Sequence, residues 1–444
     1  MAGMIDEQME SDWEPARIGP YETVCDASRY EPLINDETQS FVAAHRHEDV
    51  RDLALRAKRT ADLDLPTALD QIAGWQIASK KLPQWAACGG IVYPAHISME
   101  QCSSQFTAQY KAEIASRLLQ SAHCAADEAR MVDLTGGFGV DFSYLARAFG
   151  QATYVERQPR LCRLAAHNMA VLGLPQTQVV CGDGVDYLQD MEPVQLIFID
   201  PARRDEHGAR TYAIEDCTPN VLALRDMLLA KARYVMVKLS PMLDWRKTVD
   251  DFAHAVREVH MVSTGNECKE LLLVLESASA TDGARAQSKS PHIYCVNDDQ
   301  RLDYDAAAYT RGLRIGDAPL PQDMRYLYEP NASVMKAGCF DAVEERFGVT
   351  QIGPGSHLFV SDALVDGFPG RAFAIESIGG MGKKELKRLL GGLDRANIAV
   401  RNFPLTAPQL RKKLKLADGG DAYLFGTTMQ GGAHVLIRTV KADR

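Results

Sequence analysis

The chain has 444 residues, of which 46% are hydrophobic and 24% charged; this excludes wholesale disorder and predicts two or more globular domains. Its net charge of −10, taken alone, argues against a dedicated nucleic-acid coat and for a soluble enzyme. The average conceals two opposed segments, because residues 1–40 hold ten acids and two arginines whereas 383–415 hold ten lysines and arginines and two acids.

No apolar run approaches the roughly 20 residues that cross a bilayer; the longest aliphatic stretch is Leu271–Leu275. The N-terminus lacks the basic-then-apolar start of a secretory signal. Ten cysteines are scattered without a CxxC pair or zinc spacing, which predicts reduced thiols, no metal site and a cytoplasmic protein.

In chain order, residues 1–36 read as an acidic leader and 37–98 as a helical region. Within it, Val50, Leu53, Leu55 and Ala57 suit one amphipathic helix, and Pro66 opens another. Residues 89–100 read as a linker around Pro94, followed by a helix over Met99–His123 capped by Ser98. Ser103-Ser104-Gln105-Phe106-Thr107 could fold over a ligand, but reads better as an ordinary capped helix start. Strands and helices then alternate. Met131–Leu134, Ala152–Val155, Gln178–Cys181, Val194–Ile199 and Tyr234–Leu239 are the strands, which predicts βαβ units and a mainly parallel sheet. Glu258–Ser263 and Glu270–Leu275 flank Gly265-Asn266 as a hairpin. Residues 277–325 are polar, with one strand at His292–Val296. Residues 326–444 alternate short helices and strands as an α+β domain.

The first strand of the parallel sheet runs into Asp133-Leu-Thr135-Gly-Gly137-Phe-Gly139. Glycines here bare backbone N–H groups at a helix N-terminus, which suits a nucleotide-like ligand. A dinucleotide turn requires GxGxxG, and Phe142 stands where its last glycine belongs. Asp133 instead suits a ligand that carries an ammonium. Glu156 ends the second strand, 23 residues after Asp133, near the spacing of about 20 for a ribose-binding acid. Asp183 follows the third strand and Asp200 the fourth. Ligands of open parallel sheets bind at these strand ends. The alternative is that each acid only caps the next helix.

These residues resemble the motifs of the class I S-adenosylmethionine (SAM)-dependent methyltransferases over about residues 100–276. The Asp133–Gly139 run resembles their first motif, Glu156 the second, Gly182-Asp183 the third and Asp200-Pro201-Ala202-Arg203 the fourth. Thr135 stands where many members have Gly. The resemblance implies that Asp133, Thr135, Gly137, Gly139, Glu156 and Asp183 bind SAM. Asp200-Pro201-Ala202-Arg203 is also similar to the Asp-Pro-Pro-Tyr or Asp-Pro-Pro-Arg motif of nucleic-acid methyltransferases, in which the Asp and a following carbonyl orient an amino group. Ala202 replaces the second Pro and no aromatic residue follows it. RNA uracil C5-methyltransferases need a cysteine after the next strand; Lys238-Leu-Ser240-Pro241 has none, which disfavours covalent chemistry. Lys238 is either a site residue in contact with substrate or a surface lysine. Arg203 and Arg204 suit a phosphate or a plain surface. Asp200, Pro201, Arg203 and Lys238 form the expected catalytic set.

Three basic runs mark the C-terminal domain: Lys383, Lys384, Lys387 and Arg388; Arg401 beside Phe403; and Arg411, Lys412, Lys413 and Lys415. They suit a phosphate backbone with one stacking ring, or a solvated helix face. The segments Glu329–Gly338, His357–Phe359, Phe368–Arg371, Arg401–Pro404 and Leu410–Leu416 resemble the THUMP-like domain of a bacterial methyltransferase family, which implies structured RNA as partner.

The expected fold is therefore α/β, a Rossmann-like methyltransferase sheet with a helical N-terminal region and a C-terminal α+β THUMP-like domain. Its expected divisions are 1–36, 37–98, 99–276, 277–325 and 326–444. The expected function is SAM-dependent methylation of a base nitrogen in tRNA or rRNA, with no membrane and no metal. A small-molecule methyltransferase and a non-catalytic RNA-binding or assembly factor are the alternatives.

Overall fold

The computed structural model describes residues 16–18, 21–24, 33–58, 60–94, 96–202, 214–277, 290–309 and 320–442. Most of the acidic leader, and Arg203 and Arg204, lie outside the described residues. Two compact units divide the chain. The first holds residues 1–239 with 251–255 and 273–282, and the second holds 240–250, 256–272 and 283–444.

The first unit opens with short capped helices. Asn35 accepts from Thr38 N before Asp36–His45, Asp49 from Arg51 and Asp52 before Val50–Arg56, and Asp64 from Thr67 before Leu65–Lys81, where Pro66 occupies the first turn. Each side chain satisfies backbone donors that a helix start leaves unpaired. The region expected as a linker, 89–100, instead contains most of the helix His96–Gln101, and a further short helix, Pro83–Ala87, precedes it. The long helix expected from Met99 starts only at Gln105 and runs to Ser121. Ser104 caps it through Thr107 N, so the chain breaks before it rather than at Ser98.

Its sheet comprises β1 (Ala16–Ile18), β2 (Tyr21–Val24), β3 (Arg130–Asp133), β4 (Gln151–Glu156), β5 (Thr177–Cys181), β6 (Val194–Ile199) and β7 (Ala232–Leu239). The order is β1-β2-β5-β4-β3-β6-β7. Strands β3 to β7 pair in parallel. Leu196–Ile199 are each at most 2% exposed, as expected where helices cover both faces of a parallel sheet. The strand order reverses between β3 and β6, so the connections after them leave in opposite directions and open a crevice at the strand ends. Part of the leader pairs with the sheet, since β2 runs antiparallel to β5 with Glu22 opposite Cys181.

In the second unit, β8 (Val256–Thr264) and the start of β9 (Glu267–Glu276) form the expected hairpin. Gly265 and Asn266 have φ of 58° and 61°, as a two-residue primed turn requires. Strand β10 (His292–Asn297) pairs parallel to β8 and antiparallel to β11 (Gln300–Asp305). No strand was expected at β11. Only Leu302 in its Gln-Arg-Leu-Asp-Tyr-Asp run is buried, so a single apolar position leaves no period that marks a strand.

The C-terminal part of this unit is a sheet of β12 (Tyr326–Pro330), β13 (Thr350–Gln351), β14 (Phe359–Ser361), β15 (Gly370–Gly379), β16 (Asn397–Arg401), β17 (Ala422–Thr428) and β18 (His434–Lys441). Its order is β13-β14-β12-β15-β18-β17-β16. Leu424 and Leu436 pack with Leu389, Leu410 and Leu414 of the helices Lys383–Leu389 and Ala407–Leu414. Their neighbours Phe425 and Ile437 point the other way, into a cluster with Leu327, Val360 and Phe373. Alternation along β17 and β18 thus puts both helices on one face. No helix of the described residues is long and apolar enough to cross a membrane.

Candidate cofactor and acceptor site

The glycine turn after β3 is held from below. Gly137 and Gly139 adopt φ of 55° and 83°, a region that only glycine enters readily. Gly136 N donates to Val155 O at 2.9 Å, and Gly137 N donates to Glu156 Oε2 at 3.0 Å. A Cβ on Gly136 would lie 2.2 Å from Tyr154 Cε2. The Tyr154 hydroxyl in turn donates to Gly137 O. The turn is therefore clamped onto β4, and Glu156 is part of the clamp.

Asp133, at the end of β3, is 1% exposed. Its Oδ1 accepts from Thr135 N at 2.9 Å. Burial pushes its carboxyl up to about 8; the Thr135 N–H opposes that and the Asp141 and Asp200 charges add to it. The Thr135 hydroxyl accepts from Asp200 N at 2.7 Å, which ties the first-motif turn to the end of β6. The threonine that departs from the commoner glycine is thus the link between the two strand ends. Asp183 caps the helix Gly184–Asp190, accepting from Val185 N at 2.7 Å and Asp186 N at 3.3 Å, both at Oδ1. The capping alternative holds for this acid, which is exposed.

Gly184 is the tightest point of the site. A Cβ there would sit 2.1 Å from the Leu134 carbonyl oxygen. Gly184→Ala should force the third-motif turn off β3, lowering Tm by several degrees and weakening SAM binding at least tenfold, read by calorimetry on the folded fraction. An unchanged SAM affinity would show that the turn does not border the cofactor.

At the end of β6, Asp200 Oδ2 accepts from Lys238 Nζ at 2.7 Å. Lys238 projects from β7 and also donates to Asp141 Oδ2 at 3.3 Å. Asp141 lies in the first turn of the helix Val140–Leu145. It pairs with Lys111 Nζ at 3.0 Å and accepts from Ser103 Oγ at 2.7 Å. Burial would raise the Asp141 carboxyl, but Lys111 and Lys238 hold it down at about 2. Lys238 is therefore turned inward onto these two carboxylates rather than out to the surface. Pro201 is buried, and Ala202 bridges to Thr218.

Lys111 and Asp141 are absent from the expected site, and Ser103 enters the expectation only in the run read as a capped helix start. One signal for them is present in the sequence. Lys111 falls at helical spacing among Ala108, Ala115 and Leu118, all at most 1% exposed, and a lysine inside such a stripe demands a buried partner.

The ten residues expected to hold RNA, nine basic side chains and Phe403, separate into two groups. Arg401 pairs with Glu329 Oε1 at 3.0 Å, and Arg371 pairs with the other oxygen of this buried carboxylate. Arg411 donates to Ala396 O at 3.3 Å and pairs with Asp418 at 2.5 Å. Arg388 donates to Ile378 O. Phe403 packs beside Leu410 with its ring 6.0 Å from His434. These four side chains serve the domain itself. Lys383, Lys384, Lys387, Lys412, Lys413 and Lys415 are exposed. They belong to or follow the two helices that cover one face of the sheet. A surface groove of ≈ 450 Å³ lies between Lys383, Leu386, Lys387, Leu390 and Gly391. Among the described residues no cluster of three or more His, Cys, Asp or Glu could hold a metal ion.

Comparison with known proteins bears on both parts. Residues 370–441 match the family model described as THUMP domain-like, and 326–369 match a ferredoxin-like domain model. The structure is similar to that of a candidate methyltransferase from Porphyromonas gingivalis W83, with 31% identity, a TM-score of 0.77 and coverage of 93% of this chain and 100% of that one. A SAM-dependent methyltransferase from Agrobacterium tumefaciens matches at 17% identity and a TM-score of 0.30, over 38% of this chain and 61% of that one. No protein in the curated set matches.

Proposed function

The chain belongs to the family of methyltransferase-fold proteins with a C-terminal THUMP-like domain, and from that premise we propose that it is a SAM-dependent methyltransferase acting on a nitrogen of structured RNA. The observation that carries the reading is the hydrogen-bonded continuity of the strand ends, from Glu156 through Gly137 and from Asp133 through Thr135 to Asp200.

The residues present suit SAM. Glycines at 136, 137 and 139 leave room where a Cβ would clash or strain the chain, and acids line the rim. Asp133 would face the ammonium of the cofactor, Glu156 its ribose hydroxyls, and Asp183, through its other carboxylate oxygen, the adenine amino group. When bound, SAM would supply an electrophilic methyl group, its C–S bond breaking to leave a neutral thioether. Asp200 accepts a hydrogen bond from the acceptor N–H, aims the nitrogen lone pair at that methyl carbon, and takes the proton released as the N–C bond forms. Lys238 pairs with Asp200 and holds its carboxylate in place for that task. The exposed lysines of the two C-terminal helices hold the RNA backbone. Modification mapping by mass spectrometry of tRNA and rRNA, with and without the protein, tests the reading. A methylated nitrogen that disappears without the protein is the expected result; no difference in either RNA would overturn the RNA assignment.

Asp133 makes cofactor binding pH-dependent. Its folded value of about 8 lies above the ordinary aspartate value of about 3.9, so the ligand-free protein holds a proton that the unfolded chain has lost. Stability from this group is present below about pH 4 and falls as pH rises toward about 8. The SAM ammonium favours the ionised form, so SAM affinity rises over the same range. Calorimetry should show binding tightening about tenfold from pH 6.5 to 8.5, and Asp133→Asn should bind weakly with that dependence gone. An equal pH dependence in the variant would remove Asp133 from the cofactor site.

A further inference from the structure

The side chains Lys111, Asp141, Lys238 and Asp200 form a line of alternating charge. Its links are 3.0 Å from Lys111 to Asp141, 3.3 Å from Asp141 to Lys238 and 2.7 Å from Lys238 to Asp200. Side-chain exposure rises along it from 0% to 10%, 12% and 40%. The line therefore starts in the interior and ends at the mouth of the site. Its two ammonium and two carboxylate groups balance. Ser103 adds a hydroxyl donor to Asp141 at 2.7 Å.

We propose that Asp141 is a positioning residue of the acceptor site, acting through Lys238 to fix the charge and orientation of Asp200. The role rests on the methyl-transfer reading of Asp200. Lys238 alone could not fill it. An ammonium this well buried loses its proton easily unless a carboxylate accompanies it, and a lysine on a flexible stem points wherever its partners draw it. Asp141 supplies both the charge and the direction. It holds Lys238 from the interior side while Asp200 receives it at the mouth. Lys111 and Ser103 fix Asp141 in turn, one by charge and one by hydrogen bond, so the carboxylate has two anchors besides Lys238. The Asp141 carboxyl, kept at about 2 by the two lysines against the effect of burial, stays ionised throughout the working range. Asp141 also begins the helix that follows Gly139. The cofactor turn and the acceptor carboxylate are thus joined by a second route besides Thr135.

The test reads Lys238 directly. Among the described residues, the charged and titratable groups around it include Asp141, Asp200, Lys111 and Cys102, with Asp133 beyond Asp200. In protein labelled with ¹⁵N-lysine, the Lys238 resonance is assigned with Lys238→Arg and titrated by NMR. Asp141→Asn should lower its midpoint by at least about one pH unit, cut kcat on RNA from a strain lacking the protein at least tenfold, and leave the SAM dissociation constant within about twofold. Since Asp141→Asn strands the buried Lys111 charge and costs stability, Asp141→Asn with Lys111→Met serves as the second variant. It should recover Tm while the Lys238 midpoint stays low and kcat stays reduced. A Lys238 midpoint equal to wild type in the folded double variant overturns the positioning role, as does full kcat. Failure of the wild-type protein to bind SAM overturns the methyltransferase reading instead, on a separate signal.

Discussion

Asp200→Ala is expected to reduce methyl transfer to RNA by at least about a hundredfold while SAM binding, measured by calorimetry, stays within about twofold. Asp200 is tied to the glycine turn through its backbone, where Asp200 N donates to the Thr135 hydroxyl at 2.7 Å. That bond survives truncation of the side chain. What disappears is the oxygen that receives the acceptor N–H and the partner of Lys238 at 2.7 Å. A loss confined to kcat is the mark of an interaction made with the reacting nitrogen rather than with the cofactor. Asp200→Asn sharpens the result. It keeps an amide oxygen that can accept from the acceptor nitrogen, but it gives up the charge that balances Lys238 and receives the proton, so its rate should fall between the two. Unchanged turnover in Asp200→Ala would remove this residue from the mechanism, and a matching loss of SAM affinity would move it into the cofactor site.

The parts of this site that could be read from the sequence are those written locally. Asp133, Gly137 and Gly139 lie within one strand-to-helix turn, and Glu156 ends the next apolar strand, so period and punctuation locate them. The same logic finds Asp183, yet it cannot tell a ligand-binding acid from a helix cap, and here the cap is formed. Ser103, Lys111 and Asp141 belong to segments separated by up to 38 residues, and only the folded chain joins them. Their signal is one charged residue in a buried helical stripe, which says that a partner exists without naming it. β11 carries little signal for a related reason, since Leu302 is its single buried residue and one apolar position makes no period to read. In the C-terminal domain the charge runs were legible, but the division within them was not. Arg401 and the lysines look alike in sequence, and only the Glu329 carboxylate at 3.0 Å makes the arginine a structural residue.

That division carries the second large effect. Replacing Lys383, Lys384, Lys387, Lys412, Lys413 and Lys415 together by Gln should weaken RNA binding about a hundredfold or more near physiological salt. Each lysine that neutralises one phosphate contributes about 0.9 to the slope of log affinity against log salt on a duplex and about 0.7 on a single strand. Six of them in contact would therefore flatten the slope by roughly 4 to 5. The substitutions fall on exposed positions in the two helices or, for Lys415, directly after one and should move Tm little; SAM affinity should stay as it was. Arg401→Ala gives the opposite pattern. It strips a partner from the buried Glu329, lowers Tm, and leaves the salt slope nearly untouched. If the lysine variant keeps the wild-type slope, the two helices do not hold RNA. If it also methylates its acceptor at the full rate, the substrate is a small molecule that reaches Asp200 without help from the C-terminal domain. The sign and size of the slope change therefore decide between the two substrate classes even before the modified base is known.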